Sequence, residues 1–143
     1  MEHVFVYGTL KAGQIRERNW PIAPLQICKA WTLGRLYDTG AYPALIDGED
    51  RVAGQLWSFE DSKISQTLQV LDQIEGTNQP GQANDYDRVR RPVWLIDTGE
   101  AIEAQFYLFA LLELLPRLDY LSPKLKVGDG HYSIWPSDAE WDF

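Results

Sequence analysis

Two hydrophobic periodicities divide the chain. Up to Phe59, and again from Arg88 to Ala110, apolar and β-prone residues come in short runs or alternate with polar ones, while the stretch between keeps helical spacing. The first run, Val4-Phe5-Val6, leads directly into Tyr7, Gly8 and Thr9, a buried strand breaking into a tight loop. Leu25 to Tyr37 is apolar and aromatic, and its Trp31–Tyr37 part alternates as a strand, with Gly34 marking a bulge or bend. Gly40 and Pro43 shape the turn that follows, Gly48-Glu49-Asp50 is expected to turn the chain again, and Val52 to Phe59 is the next strand. Arg88–Ile96 and Ala101–Ala110 form an expected hairpin across Asp97-Thr98-Gly99-Glu100, with Pro92 at an edge or bulge. In the returning strand Ile102, Ala104, Phe106 and Leu108 share one face, while Glu103, Gln105, Tyr107 and Phe109 share the other. Alternation alone leaves open which face lines an interior.

From Ser62, apolar Ile64, Leu68, Leu71 and Ile74 predict a helix, with Ser62 as its N-cap and Gly76 as its stop. In Ala12–Arg18 a shorter helix is expected around Gln14–Asn19, ended by Pro21 and Pro24 and covering the first loop, with no chemistry assigned to it. Thr77–Asp87 is too polar to pack and reads as a lid or rim. Residues 111–143 hold a short helix candidate, Leu111–Leu115, and then several prolines and glycines. They are expected as a C-terminal extension wrapping the core, anchored by Trp135 and Trp141.

Composition narrows the function classes. At 143 residues the chain fits a single domain over 1–143 with one substantial core. Thirteen basic and twenty-one acidic residues give a net charge of -8, which disfavours nucleic acid or an anionic membrane as partner. The basic cluster Arg88-Val89-Arg90-Arg91 reads as a solvated strand face. The single cysteine, Cys28, excludes an intrachain disulfide framework, fits a reducing compartment, and has apolar neighbours expected to bury it. No basic leader segment is evident, and no apolar run reaches the roughly 20 residues of a membrane helix, so a cytoplasmic location is expected. His3 and His131 are the only histidines, and no HExxH or CxxC pairing exists, so no metal is expected. The absence of GxxxxGK[ST], GxGxxG and GxSxG argues against nucleotide binding and serine hydrolase chemistry.

Two stretches are candidates for chemistry. The amides of Gly8, Thr9 and Leu10 could converge into an anion-binding concavity, Gly8 permitting positive φ and close approach, with Tyr7 at the edge. An ordinary strand and turn would read the same way. Asp72 and Glu75 occupy the last turn of the predicted helix, where the dipole disfavours carboxylates. Either both are solvated surface charges, or Glu75 points into a pocket where burial and dipole raise its pKa toward a value useful for proton transfer.

Five motifs in order, Val4-Phe5-Val6-Tyr7-Gly8-Thr9-Leu10-Lys11, Tyr42-Pro43, Val52-Ala53-Gly54-Gln55-Leu56-Trp57, Leu71-Asp72-Gln73-Ile74-Glu75-Gly76 and Tyr86-Asp87-Arg88, give the chain its resemblance. Over about residues 4 to 109 it resembles the γ-glutamylcyclotransferase-like (AIG2-like) superfamily. The resemblance implies an α+β fold: a small bent or closed mixed β-barrel flanked by helices, with a cavity between the first loop and the helix. It also implies cofactor-free release of 5-oxoproline from a γ-glutamyl amine, amino acid or peptide. Tyr7, Gly8, Thr9 and Leu10 would form the substrate loop and Glu75 the general acid/base. Tyr86 and Tyr107 would line the pocket or hydrogen-bond the carboxylate. A noncatalytic binding module on the same barrel is the alternative. The leaving amine and the oligomeric state are left open.

Overall fold

The computed structural model describes residues 1–139. Its centre is a closed barrel of five strands, β1 (Glu2–Val6), β2 (Gln26–Asp38), β3 (Pro43–Phe59), β4 (Tyr86–Leu95) and β5 (Ala101–Phe109). Around the barrel the order is β3-β1-β5-β4-β2, and β2 pairs back onto β3 to close it. All pairings in this ring are antiparallel except β1 with β5, which run parallel in the register Val4 to Gln105. The barrel is therefore mixed, and closure leaves none of its five strands as a free edge. Helix α1 (Ile64–Glu75) lies against its outside, which makes the fold α+β.

Alternation along the strands explains two separate cores. Phe5, Ala30, Leu36, Leu45, Val52, Leu56, Val93, Ala104 and Phe106 come from all five strands and fill the barrel interior. Their strand neighbours Val4, Val6, Trp57, Phe59, Tyr107 and Phe109 face outward and pack with Leu68 and Leu71 of α1. Both faces of β5 are thus buried at its C-terminal half, which is why alternation could not identify the interior. Leu71 is fully enclosed, so truncation to alanine would cost about 2–5 kcal/mol.

The structure departs from the sequence reading at several points. Gly48-Glu49-Asp50 does not end a strand: β3 runs unbroken from Pro43 to Phe59. Gly34 pairs with Asp50 and Arg35 with Ile46, so the extra residues bow out of the ladder while β2 continues as partner on both sides. The expected irregularity at Gly34 is the other half of this bulge. Ser62 lies within a 3-10 turn, Asp61–Lys63, and the α-helical N-cap is Lys63, with no side-chain cap. Gly76 does end the helix, in the left-handed conformation at φ 64°. Residues 12–16 form only turns and bends, and of the helix expected around Gln14–Asn19 a single 3-10 turn, Glu17–Asn19, is present. Cys28 is partly exposed, because β2 reaches the interior only from Ala30 onward.

After β5, a 3-10 helix (Leu112–Arg117) leads to β6 (Asp119–Leu121), which adds to β2, and to the hairpin of β7 (Leu125–Val127) and β8 (Gly130–Tyr132). Ser133 bonds to both sides of Val52 in β3, through the Arg51 carbonyl and the Ala53 amide. Trp135 is buried with the barrel core and donates from Nε1 to Asp38 at 3.0 Å. Trp141 lies outside the described residues. Among those described, no helix is long and apolar enough to cross a membrane.

Candidate active site

The parallel seam brings the C-terminal ends of β1 and β5 to one end of the barrel. Antiparallel pairing then adds the start of β4, since Tyr86 is opposite Phe109. A cavity of about 160 Å³ opens there, lined by the Phe5–Leu10 segment, Arg16, Tyr42-Pro43, Ile74-Glu75, Asp85-Tyr86, Tyr107, Phe109 and Leu111. All seven residues singled out from the sequence, Tyr7, Gly8, Thr9, Leu10, Glu75, Tyr86 and Tyr107, are in this lining.

The loop is held from both sides. The Lys11 amide bonds to the Gly8 carbonyl at 3.1 Å, the Arg16 amide to the Thr9 carbonyl at 2.8 Å, and Trp20 Nε1 to the Leu10 carbonyl at 2.9 Å. Residues 12–20 therefore cover the loop by binding its carbonyls. Among the described residues the Gly8, Thr9 and Leu10 amides have no protein acceptor, which leaves them available to an anion. Gly8 is not at positive φ, contrary to the sequence argument. Glycine is required by proximity, since a Cβ there would come within 2.6 Å of Pro43 Cγ.

Asp72 and Glu75 have separate environments. Asp72 is 3.0 Å from Arg88 Nε and accepts the Tyr107 hydroxyl at 2.7 Å. Arg88 also donates to Gln105 at 3.1 Å, so it is a partly buried network residue rather than part of a solvated face. Arg90 and Arg91 keep the surface role expected of them, Arg90 pairing with the half-buried Glu2 and the exposed Glu103, and Arg91 with the exposed Asp47. The Arg88 guanidinium offsets the charge that Asp72 brings to the helix C-terminus. Glu75 has no such contact: among the described residues nothing hydrogen-bonds its carboxylate. Burial raises its pKa to about 7, opposed in part by the positive charge of Arg16.

The three tyrosines are walls whose hydroxyl protons are already used. Tyr7 donates to the Tyr107 carbonyl at 2.5 Å, Tyr86 to the Pro43 carbonyl at 2.7 Å and Tyr107 to Asp72. Burial pushes all three hydroxyls well above their ordinary pKa, so they stay neutral. Each can still accept a hydrogen bond, but none can donate to a ligand carboxylate without breaking its present bond. The loop amides remain the better anion donors. Of the Thr77–Asp87 segment, Asp85 and Tyr86 line the cavity, and its base is pinched by Asp85 N to Gly76 O at 3.0 Å.

Arg16, Tyr42, Pro43 and Asp85 are lining residues to which sequence reasoning gave no site role. Tyr42-Pro43 was visible as a motif, but Arg16 carried no signal because its segment has neither periodicity nor a recognisable turn pattern.

The family model described as gamma-glutamyl cyclotransferase, AIG2-like, matches residues 4–132. A Niallia circulans protein, gamma-L-glutamyl-butirosin B gamma-glutamyl cyclotransferase, is 35% identical over 91 residues, covering 62% of this chain and 56% of that one. A Vibrio cholerae protein is 32% identical over 83 residues, covering 52% of this chain and 65% of its own length. The chain thus spans between half and two thirds of these curated relatives. Among solved structures, one from Arabidopsis thaliana superimposes with a TM-score of 0.57 at 23% identity, covering 77% of this chain and 69% of that one. A uropathogenic E. coli protein gives 0.54 at 17% identity, covering 85% and 87%. These two structures share the fold.

Proposed function

Because the chain belongs to the gamma-glutamyl cyclotransferase, AIG2-like family, we propose that it releases 5-oxoproline from a small γ-glutamyl compound by intramolecular ring closure. One observation carries the reading: Glu75, a carboxyl with a pKa raised to about 7, faces the same cavity as the Gly8, Thr9 and Leu10 amides, and among the described residues neither it nor they have a protein hydrogen-bond partner. The amides of Gly8, Thr9 and Leu10 hold the substrate α-carboxylate. The Glu75 carboxylate takes a proton from the α-ammonium, and the freed amine attacks the γ-carbonyl carbon, forming the ring C–N bond. Glu75 then returns its proton to the departing nitrogen as the original amide C–N bond breaks, and it takes the second proton from the ring nitrogen, which leaves with the released amine as its ammonium. A pKa near 7 suits both steps, since the group must accept and donate at similar pH. Nucleophile and electrophile belong to one molecule, so the cavity's task is to hold the folded, five-membered geometry.

The reaction is tested by incubating the protein with a γ-glutamyl amide and with its N-acetylated form. 5-Oxoproline is expected from the first alone, because acetylation removes the basic lone pair of the nucleophile. Binding without product from any γ-glutamyl compound would instead establish a noncatalytic module.

A further inference from the structure

The Arg16 guanidinium is the one basic group among the described residues of the cavity lining, and it is exposed at the mouth. Among the described residues it makes no ion pair or hydrogen bond through its side chain. Its backbone, by contrast, is fixed: the Arg16 amide binds the Thr9 carbonyl of the substrate loop at 2.8 Å. Its positive charge also acts on the Glu75 carboxyl, favouring the ionised form. An unpaired planar cation with an anchored backbone, in the same lining as the group that protonates the leaving nitrogen, is suited to a carboxylate a few bonds from that nitrogen.

We infer that Arg16 is a specificity residue that binds a carboxylate on the leaving group, making γ-glutamyl amino acids or peptides with a free α-carboxylate the preferred substrates. The inference rests on the proposed reaction and extends it from the γ-glutamyl head to the departing half. The head's own α-carboxylate has the loop amides, and its ammonium has Glu75. That leaves Arg16, the unpaired cation of the lining, for the part of the substrate beyond the scissile bond. Asp85, the other charged group at the mouth, has its backbone held by the Gly76 carbonyl and the Ala110 amide. It would favour a cationic leaving group. Arg16 opposes that choice, and its positive charge acts on the Glu75 carboxyl itself.

Three substrates of nearly equal size separate these cases: γ-glutamylglycine, γ-glutamylglycinamide and γ-glutamyl-1,2-diaminoethane. The wild-type protein is expected to favour the free acid over the amide by about tenfold or more in kcat/KM, mainly through KM, as for one charge-assisted contact. Arg16→Gln should collapse that ratio toward one, and Arg16→Lys should recover part of it. Equal losses on acid and amide would overturn the inference by assigning Arg16 to the head group, and a preference for the diamine would overturn it in favour of Asp85. Calorimetry of the acid and the amide on Glu75→Gln reads the same preference without turnover. If no compound yields 5-oxoproline yet the acid binds tighter and the gap closes in Arg16→Gln/Glu75→Gln, the proposed reaction fails while the carboxylate site stands. Equal affinities would remove the site whatever the activity.

Discussion

Asp72 and Glu75 sit three residues apart on the last turn of one helix, yet only Asp72 has a guanidinium in contact, that of Arg88 at 3.0 Å. The same dipole acts on both. One is neutralised into structure, with Tyr107 and Arg88 as partners, and the other is left with burial raising its pKa to about 7. In the proposed reaction this division leaves Glu75, not Asp72, as the carboxyl for proton transfer.

If Glu75 carries the proton, Glu75→Gln should lower turnover at least ~100-fold while substrate affinity is largely kept. Steady-state release of 5-oxoproline and calorimetry measure the two. Turnover within a few-fold of wild type would move the acid/base role elsewhere.

The pH profile follows from the same carboxyl. Proton acceptance needs the ionised form, so kcat should rise with pH and level off above about 7, the value to which burial raises Glu75. Arg16→Gln removes a charge that favours the ionised form, and the limb should move to higher pH. An unmoved limb would mean that another group is titrating.

Stability should show the cost of this arrangement. The Glu75 carboxyl has a higher pKa folded than unfolded, so its contribution is fully present below about 4.5 and is lost as pH rises through about 7. The loss is on the order of 3 kcal/mol as an upper figure. Glu75→Gln should therefore melt higher than wild type at pH 8 and converge with it at pH 4. Parallel melting curves at both pH values would show that the carboxyl is not desolvated.

Gly8 and Pro43 make a second test. A Cβ at position 8 would lie 2.6 Å from Pro43 Cγ, so Gly8→Ala should displace the loop, costing about 1–3 kcal/mol of stability and weakening γ-glutamyl binding. Pro43→Ala in the same chain should restore part of both losses, since it removes the atom that is struck. Strictly additive losses would place the cause outside this contact.

Lys11 is 6% exposed, and its Nζ donates to the Trp135 carbonyl at 2.5 Å, tying the loop after β1 to the chain's last third. Burial lowers its pKa from 10.5 to about 8. The folded chain thus binds this proton more weakly than the unfolded one, and stability gained above 10.5 is lost as pH falls through about 8. Relative to Lys11→Met, the wild type should gain up to about 3 kcal/mol between pH 8 and 10.5, read from urea titrations at both. A constant difference would show that the ammonium is solvated.

Much of this was legible before the structure, where residues carried a local rule. The helix followed from Ile64, Leu68, Leu71 and Ile74, its end from Gly76, and the β4–β5 hairpin from alternation around a four-residue turn. Gly48 misled because the same residue type serves turns and bulges, and only pairing with β2 on both sides distinguishes them. Arg88 was misread because its neighbours Arg90 and Arg91 are surface residues, while its own partners Asp72 and Gln105 are distant in sequence. Arg16 left no trace at all, since an irregular segment acquires its position from the loop carbonyl it binds.

The parallel seam has a consequence for how the protein is made. Tyr7 and the carbonyl of Tyr107 are separated by 100 positions along the chain, and parallel pairing needs that whole span to exist before it can form. The β2–β3 hairpin and α1 involve shorter closures and are placed to form earlier, whereas β1 has no complete β5 to dock against until Phe109 of the 143 residues is available. During synthesis the cavity is therefore among the last features to be completed. In refolding from denaturant, recovery of ligand binding should lag behind recovery of secondary structure.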